Sequence, residues 1–168
     1  MVTCFSPLAS ADAKVLILGS FPGKESLLKQ EYYAHPRNSF WFIIRTLFHL
    51  DESLSYLERT QALKSHRVAL WDVLWSCQRE GSLDSSIDDT TIRVNDFGLF
   101  FRRYKEIGWV FFNGLKAEKE YKRRVVPSVG SLCNTLQYYR LPSTSPAMAM
   151  LTRDQKLAQW TTILEKLA

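Results

Sequence analysis

Four short apolar runs punctuate the chain, and stretches of helical period separate them. Lys14-Val15-Leu16-Ile17-Leu18-Gly19 is almost wholly apolar and closed by glycine, the pattern of a strand buried on both faces. Val68-Ala69-Leu70-Trp71, Trp109-Val110-Phe111-Phe112 and Leu136-Gln137-Tyr138-Tyr139-Arg140-Leu141 read the same way. Residues 39–50 place Phe40, Ile43, Ile44, Leu47 and Phe48 on one face of a helix. Residues 54–63, 96–104, 117–125 and 154–167 carry the same period. Strands alternating with helices predict an α/β fold, a three-layer α/β/α sandwich with a short, mainly parallel four-stranded central sheet. No repeat, low-complexity tract or long linker interrupts the pattern, so residues 1–168 are read as one domain. In such sheets ligands bind at the carboxyl ends of the strands, which directs attention to the residues just beyond each run.

The first run leads into Gly19-Ser20-Phe21-Pro22-Gly23. Two glycines and a proline in five residues set a tight turn and let main-chain N–H groups approach an anion or a base carbonyl. An ordinary strand-to-loop turn has the same composition. The pentapeptide lacks the ending of a nucleotide P-loop and is not G-x-G-x-x-G. Next comes Tyr32-Tyr33-Ala34-His35-Pro36-Arg37-Asn38-Ser39-Phe40-Trp41. Pro36 disfavours helix at His35, and Asn38 suits the N-cap of the helix that follows. A helix needs one cap, yet the stretch from Tyr32 to Asn38 also holds two tyrosines, a histidine and an arginine. Phe40 and Trp41 read as anchors in the core. The third run ends at Asn113-Gly114, where the carboxamide either reads an amide-like edge or turns the chain toward the next helix. The fourth runs into Leu141-Pro142-Ser143-Thr144-Ser145-Pro146-Ala147-Met148. Its hydroxyls and N–H groups suit phosphates, with Leu141 or Met148 as an apolar wedge beside them. A solvated surface loop is the plainer reading.

Length and composition narrow the field. A chain of 168 residues supports one substantial core but not two ordinary domains. A net charge of +5 favours a polyanionic partner such as nucleic acid. No apolar run reaches the roughly 18 residues of a membrane span, and no basic segment followed by an apolar stretch opens the chain. Cys4, Cys77 and Cys133 stand apart without a C-x-x-C spacing, which disfavours a disulfide framework, a zinc site and an iron–sulfur cluster. These features fit a cytoplasmic monomer without metal or cofactor.

Together the four segments resemble the uracil-DNA glycosylase superfamily, and most closely its hypoxanthine-DNA glycosylase branch. The resemblance rests on Gly19-Ser20-Phe21-Pro22-Gly23, on Tyr33 to Trp41, on Phe112-Asn113-Gly114 and on Leu141 to Pro146, in the family's order and approximate spacing. It implies a monofunctional glycosylase that flips a deaminated base out of damaged DNA and hydrolyses its N-glycosidic bond. Tyr33 resembles the aromatic that stacks on the flipped base. Main-chain groups of Ser20 and Phe21, with Asn113, would bind the base edge, and Ser143, Thr144 and Ser145 the flanking phosphates. Phe21 stands where many members have a water-positioning Asp or Asn, and that role resembles a transfer to Asn38. Asn38 is too weak a base to deprotonate water and would orient it instead. His35 would protonate the leaving purine, bind phosphate or serve structurally. Leu141 replaces the histidine that stabilises a departing uracil anion, so hypoxanthine is the expected substrate ahead of uracil or xanthine. The leucine wedge of several relatives falls on Ser145. No lysine matches a Schiff-base nucleophile, and no metal is implied. A catalytically silent nucleic-acid-binding module is the principal alternative, and a small-molecule enzyme acting on nucleosides or phosphates a third reading.

Overall fold

The computed structural model describes residues 1–80 and 86–168. A two-residue strand, β1 (Val2–Thr3), precedes β2 (Val15–Gly19), and α1 (Lys24–Lys29), α2 (Phe40–Leu47) and α3 (Tyr56–Ser65) lead to β3 (Val68–Asp72). After β4 (Leu74–Cys77), β5 (Arg93–Val94) and α4 (Phe97–Arg103) comes β6 (Trp109–Asn113). Helix α5 (Leu115–Glu120), a π-helical turn (Tyr121–Val125) and α6 (Val126–Val129) connect it to β7 (Gln137–Leu141). Helices α7 (Arg153–Trp160) and α8 (Thr162–Leu167) follow.

The four apolar runs pair in the order β3-β2-β6-β7, and every pair is parallel. Alternation along each strand divides the core between two faces. Leu16, Leu18, Ala69, Trp71, Val110 and Phe112 pack with the aromatics of α4 and with Tyr121. Val15, Ile17, Val68, Leu70 and Phe111 pack with α2, Leu63 of α3, Trp160 and Ile163. Helices therefore cover both faces, which is the three-layer sandwich expected from the pattern. The outer edge of β3 is partly covered because Leu8 and Leu70 exchange both main-chain hydrogen bonds (2.9 and 2.8 Å).

Three local features differ from the periodicity. A second, antiparallel sheet of order β1-β4-β5 is built from strands of two to four residues, too short to show a period. The helix expected at 154–167 breaks at Thr161 into α7 and α8. The helix expected at 117–125 begins at Leu115 and widens into the π turn that carries buried Tyr121.

Candidate active site

Strand β2 lies between β3 and β6, and the connections to these neighbours cover opposite faces of the sheet. The carboxyl ends at that switch point are where a ligand crevice is expected. A cavity of about 710 Å³ opens there, lined by the 19–23 turn, Tyr33, His35, Asn38, Asn113 and the loop from Ser143 to Met148. Its volume lies within the range of about 300–1,000 Å³ usual for ligand pockets.

The 19–23 turn is fixed from below. The Gly19 and Ser20 carbonyls accept from Val73 and Leu74 N–H at 2.9 and 3.0 Å, which extends the β2–β3 pairing beyond the strand. The Arg79 guanidinium donates to the Pro22 carbonyl and lies over the Phe21 ring, 5.2 Å from its centroid. That ring belongs to the core on the α4 side. A methyl group at Gly19 would sit 2.5 Å from Asp72 Oδ1 and 2.8 Å from Tyr33 Oη. Only glycine allows these two side chains to converge there.

The next segment is held by its neighbours. Tyr32 N–H donates to Tyr56 Oη (3.0 Å), and its carbonyl accepts from Trp41 Nε1 (2.7 Å). Its hydroxyl donates to the Ser6 carbonyl, and Ala34 N–H donates to Ser26 Oγ (both 3.1 Å). Between these anchors Tyr33 adopts φ 54°, a left-handed conformation that costs a non-glycine residue about 1–3 kcal/mol. The consequence is placement: the Tyr33 ring stacks on Phe40 (4.1 Å, 24°) and lines the cavity. Asn38 also has a double position. Ser39 occupies the cap position of α2 but makes no side-chain bond, and Asn38 Oδ1 accepts the Phe40 N–H at 3.0 Å instead. The Asn38 amide group and its second Oδ1 lone pair remain for a ligand. His35 Nδ1 accepts Arg37 N–H (3.1 Å), so the neutral ring carries its proton on Nε2.

The last loop corrects several expectations. Thr144 is 0% exposed, and its polar groups are turned to Asn113 and not to the solvent side where a phosphate was expected. Its N–H donates to Asn113 Oδ1 and its Oγ1 accepts from Asn113 Nδ2, both at 2.9 Å. The Thr144 carbonyl accepts Ser39 N–H at 3.0 Å. Asn113 and Thr144 thus form a clasp that joins β6, the last loop and the Asn38 segment. The carboxamide expected to read a base edge already uses one donor and one acceptor in this clasp. Leu141 is 1% exposed and sits within β7 opposite Asn113, so it is a core residue and not a wedge. The Pro142 carbonyl accepts from Trp160 Nε1 (3.0 Å), a structural contact. Ser143 and Ser145 are part-exposed and line the cavity with Met148. Buried Lys156, whose amine burial holds below its ordinary value, donates to the Ser145 carbonyl (3.1 Å) and supports the loop. Gly114 has φ 94°, and a methyl group on it would lie 2.9 Å from Ser143 Cβ, so glycine permits this close approach.

Sequence reasoning missed three features. Asp72, the last residue of β3, is 3% exposed and lines the cavity. The strand-end rule points to its neighbourhood, but the apolar run in the sequence ends at Trp71. Burial raises the Cys4 thiol to about 12 and the Tyr32 hydroxyl well above its usual value, and the nearby Asp72 charge adds to both. Met150 is 90% exposed beyond the last loop, where no period marked it. Finally, a second cavity of about 750 Å³ shares Tyr33, His35, Arg37 and Asn38 with the first and adds Arg45, Arg59 and Arg153. Arg153 lies 3.8 Å over Phe42 and Arg59 4.7 Å over Trp41, while Arg45 pairs with Glu52 (3.1 Å). These arginines come from separate segments, so no local run of charge announces the groove.

The fold and the strand-end cavity define a class. The model of the uracil DNA glycosylase superfamily matches residues 6–168, and the chain belongs to that superfamily. Within it the chain is similar to two proteins named hypoxanthine DNA glycosylase. One, from Methanosarcina barkeri, is 38% identical over 114 residues, 67% of this chain and 71% of the relative. The other, from Methanosarcina acetivorans, is 36% identical over 133 residues, 74% and 83% of the two chains. The solution NMR structure of a candidate uracil DNA glycosylase from Methanosarcina acetivorans superimposes with a TM-score of 0.78 at 30% identity, covering 97% of this chain and 96% of that one. Among the described residues, no helix is long and apolar enough to cross a membrane.

Proposed function

We propose that the chain is a monofunctional DNA glycosylase of base-excision repair, acting in the cytoplasm on hypoxanthine in preference to uracil. The observation that carries this reading is one cavity lined by the glycine turn, Tyr33, Asn38, Asn113 and the serines of the last loop. A flipped nucleotide would enter with its base against Tyr33, and unstacking would cost least at a mismatched or damaged pair. Main-chain N–H groups of Ser20 and Phe21 would meet the base carbonyl. Ser143 and Ser145 would contact the flanking phosphates, and the adjoining arginine groove would take phosphates further along the strand.

Cleavage of the N-glycosidic bond develops positive charge on the sugar and negative charge on the base. Asn38 would orient the attacking water from a carboxamide already fixed by Phe40 N–H, so its contribution is positioning. His35 Nε2–H would donate to a purine ring nitrogen as the bond breaks. Hypoxanthine offers such a nitrogen, whereas uracil must leave as an anion. With Leu141 buried in the core, that position gives a departing anion no donor. This supports the preference for hypoxanthine.

The test is single-turnover excision from duplexes bearing hypoxanthine opposite thymine or uracil opposite adenine, followed by alkaline cleavage. Faster release of hypoxanthine supports the reading. Faster uracil release overturns the preference, and release of neither base from duplex or single-stranded DNA overturns the glycosylase assignment in favour of a binding module.

A further inference from the structure

We infer that Asp72 is the specificity-determining acceptor of this cavity, taking a hydrogen bond from the ring N–H that deamination creates. The inference rests on the glycosylase reading and extends it from a substrate to a rule. Among the described residues lining the cavity, Asp72 is the only buried carboxylate. Asp72 stands at the end of a sheet strand, where ligands of this fold bind, and lines the cavity there.

Its placement suits a base edge. Asp72 is the register partner of Gly19, so the carboxylate lies beside the turn whose N–H groups would meet a carbonyl. Asp72 Oδ1 and Tyr33 Oη lie 2.5 and 2.8 Å from where a Cβ on Gly19 would stand, which puts the acceptor near the hydroxyl end of the stacking ring. The backbone is fixed on both strands: Asn95 Nδ2 donates to the Asp72 carbonyl (2.8 Å), and Val73 N–H donates to Gly19. Meanwhile the Asn113 carboxamide is engaged with Thr144. A donor at the turn and an acceptor at Asp72 together match a carbonyl next to a ring N–H.

That pair of groups is what deamination produces. Adenine presents an amino group beside a bare ring nitrogen, and hypoxanthine presents a carbonyl beside N1–H. Cytosine and uracil differ in the same sense at N3. A carboxylate accepts from either product and faces a lone pair in either parent, so Asp72 reads the chemical change and not one base. A site with such paired groups rejects a mismatched edge strongly. Guanine and thymine also carry a ring N–H, and their exclusion falls to the shape of the cavity.

The experiment compares wild type, Asp72→Leu and Asp72→Ala, neither of which can accept a hydrogen bond, in single-turnover excision of hypoxanthine, N1-methylhypoxanthine and uracil. Binding to DNA with a tetrahydrofuran abasic site reports folding and backbone contact, because that site has no base. We expect both variants to lose about 10²-fold on hypoxanthine and on uracil, the scale of one charge-assisted hydrogen bond. N1-methylhypoxanthine has no N–H to lose, so its slower release should change little, and abasic-site affinity should hold. An equal loss on hypoxanthine and its N1-methyl derivative would place Asp72 at the sugar or the water and overturn the inference. Undiminished hypoxanthine excision by either variant would also overturn it. Should neither variant fold, wild-type release of the N1-methyl base as fast as hypoxanthine is enough to refute it, and hypoxanthine-selective release with intact uracil excision supports it. Failure of wild type to release any deaminated base removes the glycosylase reading itself, a result distinct from a variant that retains activity.

Discussion

Replacing Asn113 with alanine tests whether that side chain is a clasp or a reader of the base. In the structure its carboxamide satisfies the Thr144 N–H and donates to Thr144 Oγ1, both at 2.9 Å, and Thr144 is fully buried. Truncation leaves that N–H without its acceptor and the hydroxyl without its donor. A buried polar group left unsatisfied costs about 1–3 kcal/mol, so the pair should cost about 2–6 kcal/mol. That is a large share of a typical total of about 5–15 kcal/mol. At about 2–4 °C per kcal/mol for a chain of this size, Tm should fall by roughly 4–24 °C. Thr144→Val removes only the hydroxyl and should cost about 1–2 kcal/mol. Because both changes break the same bond, the double variant should be more stable than the two losses added, by about 0.5–3 kcal/mol. Urea unfolding of the four proteins measures this coupling. Excision should slow in Asn113→Ala for every substrate alike, since the Thr144 carbonyl also holds Ser39 beside Asn38. Unchanged stability with excision lost for hypoxanthine alone would refute the clasp and restore Asn113 as the base reader.

Asn38→Ala should lower Tm by about 2–4 °C, the value of one lost cap, and slow single-turnover excision by about 10²-fold or more; Asn38→Asp should keep the Tm. Loss of Tm with an unchanged rate would make Asn38 a cap alone. Gly114→Ala meets both a positive φ and the Ser143 Cβ, and should destabilise the protein by about 1–3 kcal/mol in thermal unfolding. Arg37→Ala and Arg153→Ala should each reduce the slope of log Kd against log salt by about 1, as expected for one phosphate contact. A salt dependence unaltered in both would take the arginine groove off the DNA path.

The sheet and the order of its segments were legible because four apolar runs had the length and composition of buried parallel strands. The strand-end rule then indicated where the cavity would lie. It did not reveal how each side chain is employed. Thr144 is a hydroxyl residue in a polar loop, and only its neighbours in space show that both its polar groups face Asn113. Leu141 belongs to a predicted strand and also opens a loop motif, and burial decides between the two. Asp72 was hidden by its flanks, since Trp71 and Val73 make the position look like the end of a core strand. The arginine groove draws on a loop and three helices, an arrangement with no signature along the chain.

Capping and the proposed catalytic role look like competing uses of Asn38 in the sequence, and the geometry makes them compatible. A free asparagine side chain samples several rotamers, so aligning it with a water and a sugar carbon would lose entropy at each turnover. Here Oδ1 is bonded to the Phe40 N–H, the following Ser39 N–H is held by Thr144, and the preceding backbone is pinned through Tyr32 and Ala34. The plane of the carboxamide is therefore set before DNA arrives. Its remaining donors and lone pair are the groups that can hold a water. In the proposed reaction, a side chain too weak to act as a base would gain its effect from such fixed orientation. The strained Tyr33 backbone, the Asn113–Thr144 clasp and the Asn38 cap act to one end, since each holds the segment between α1 and α2 in the single conformation that turns its polar groups toward the cavity.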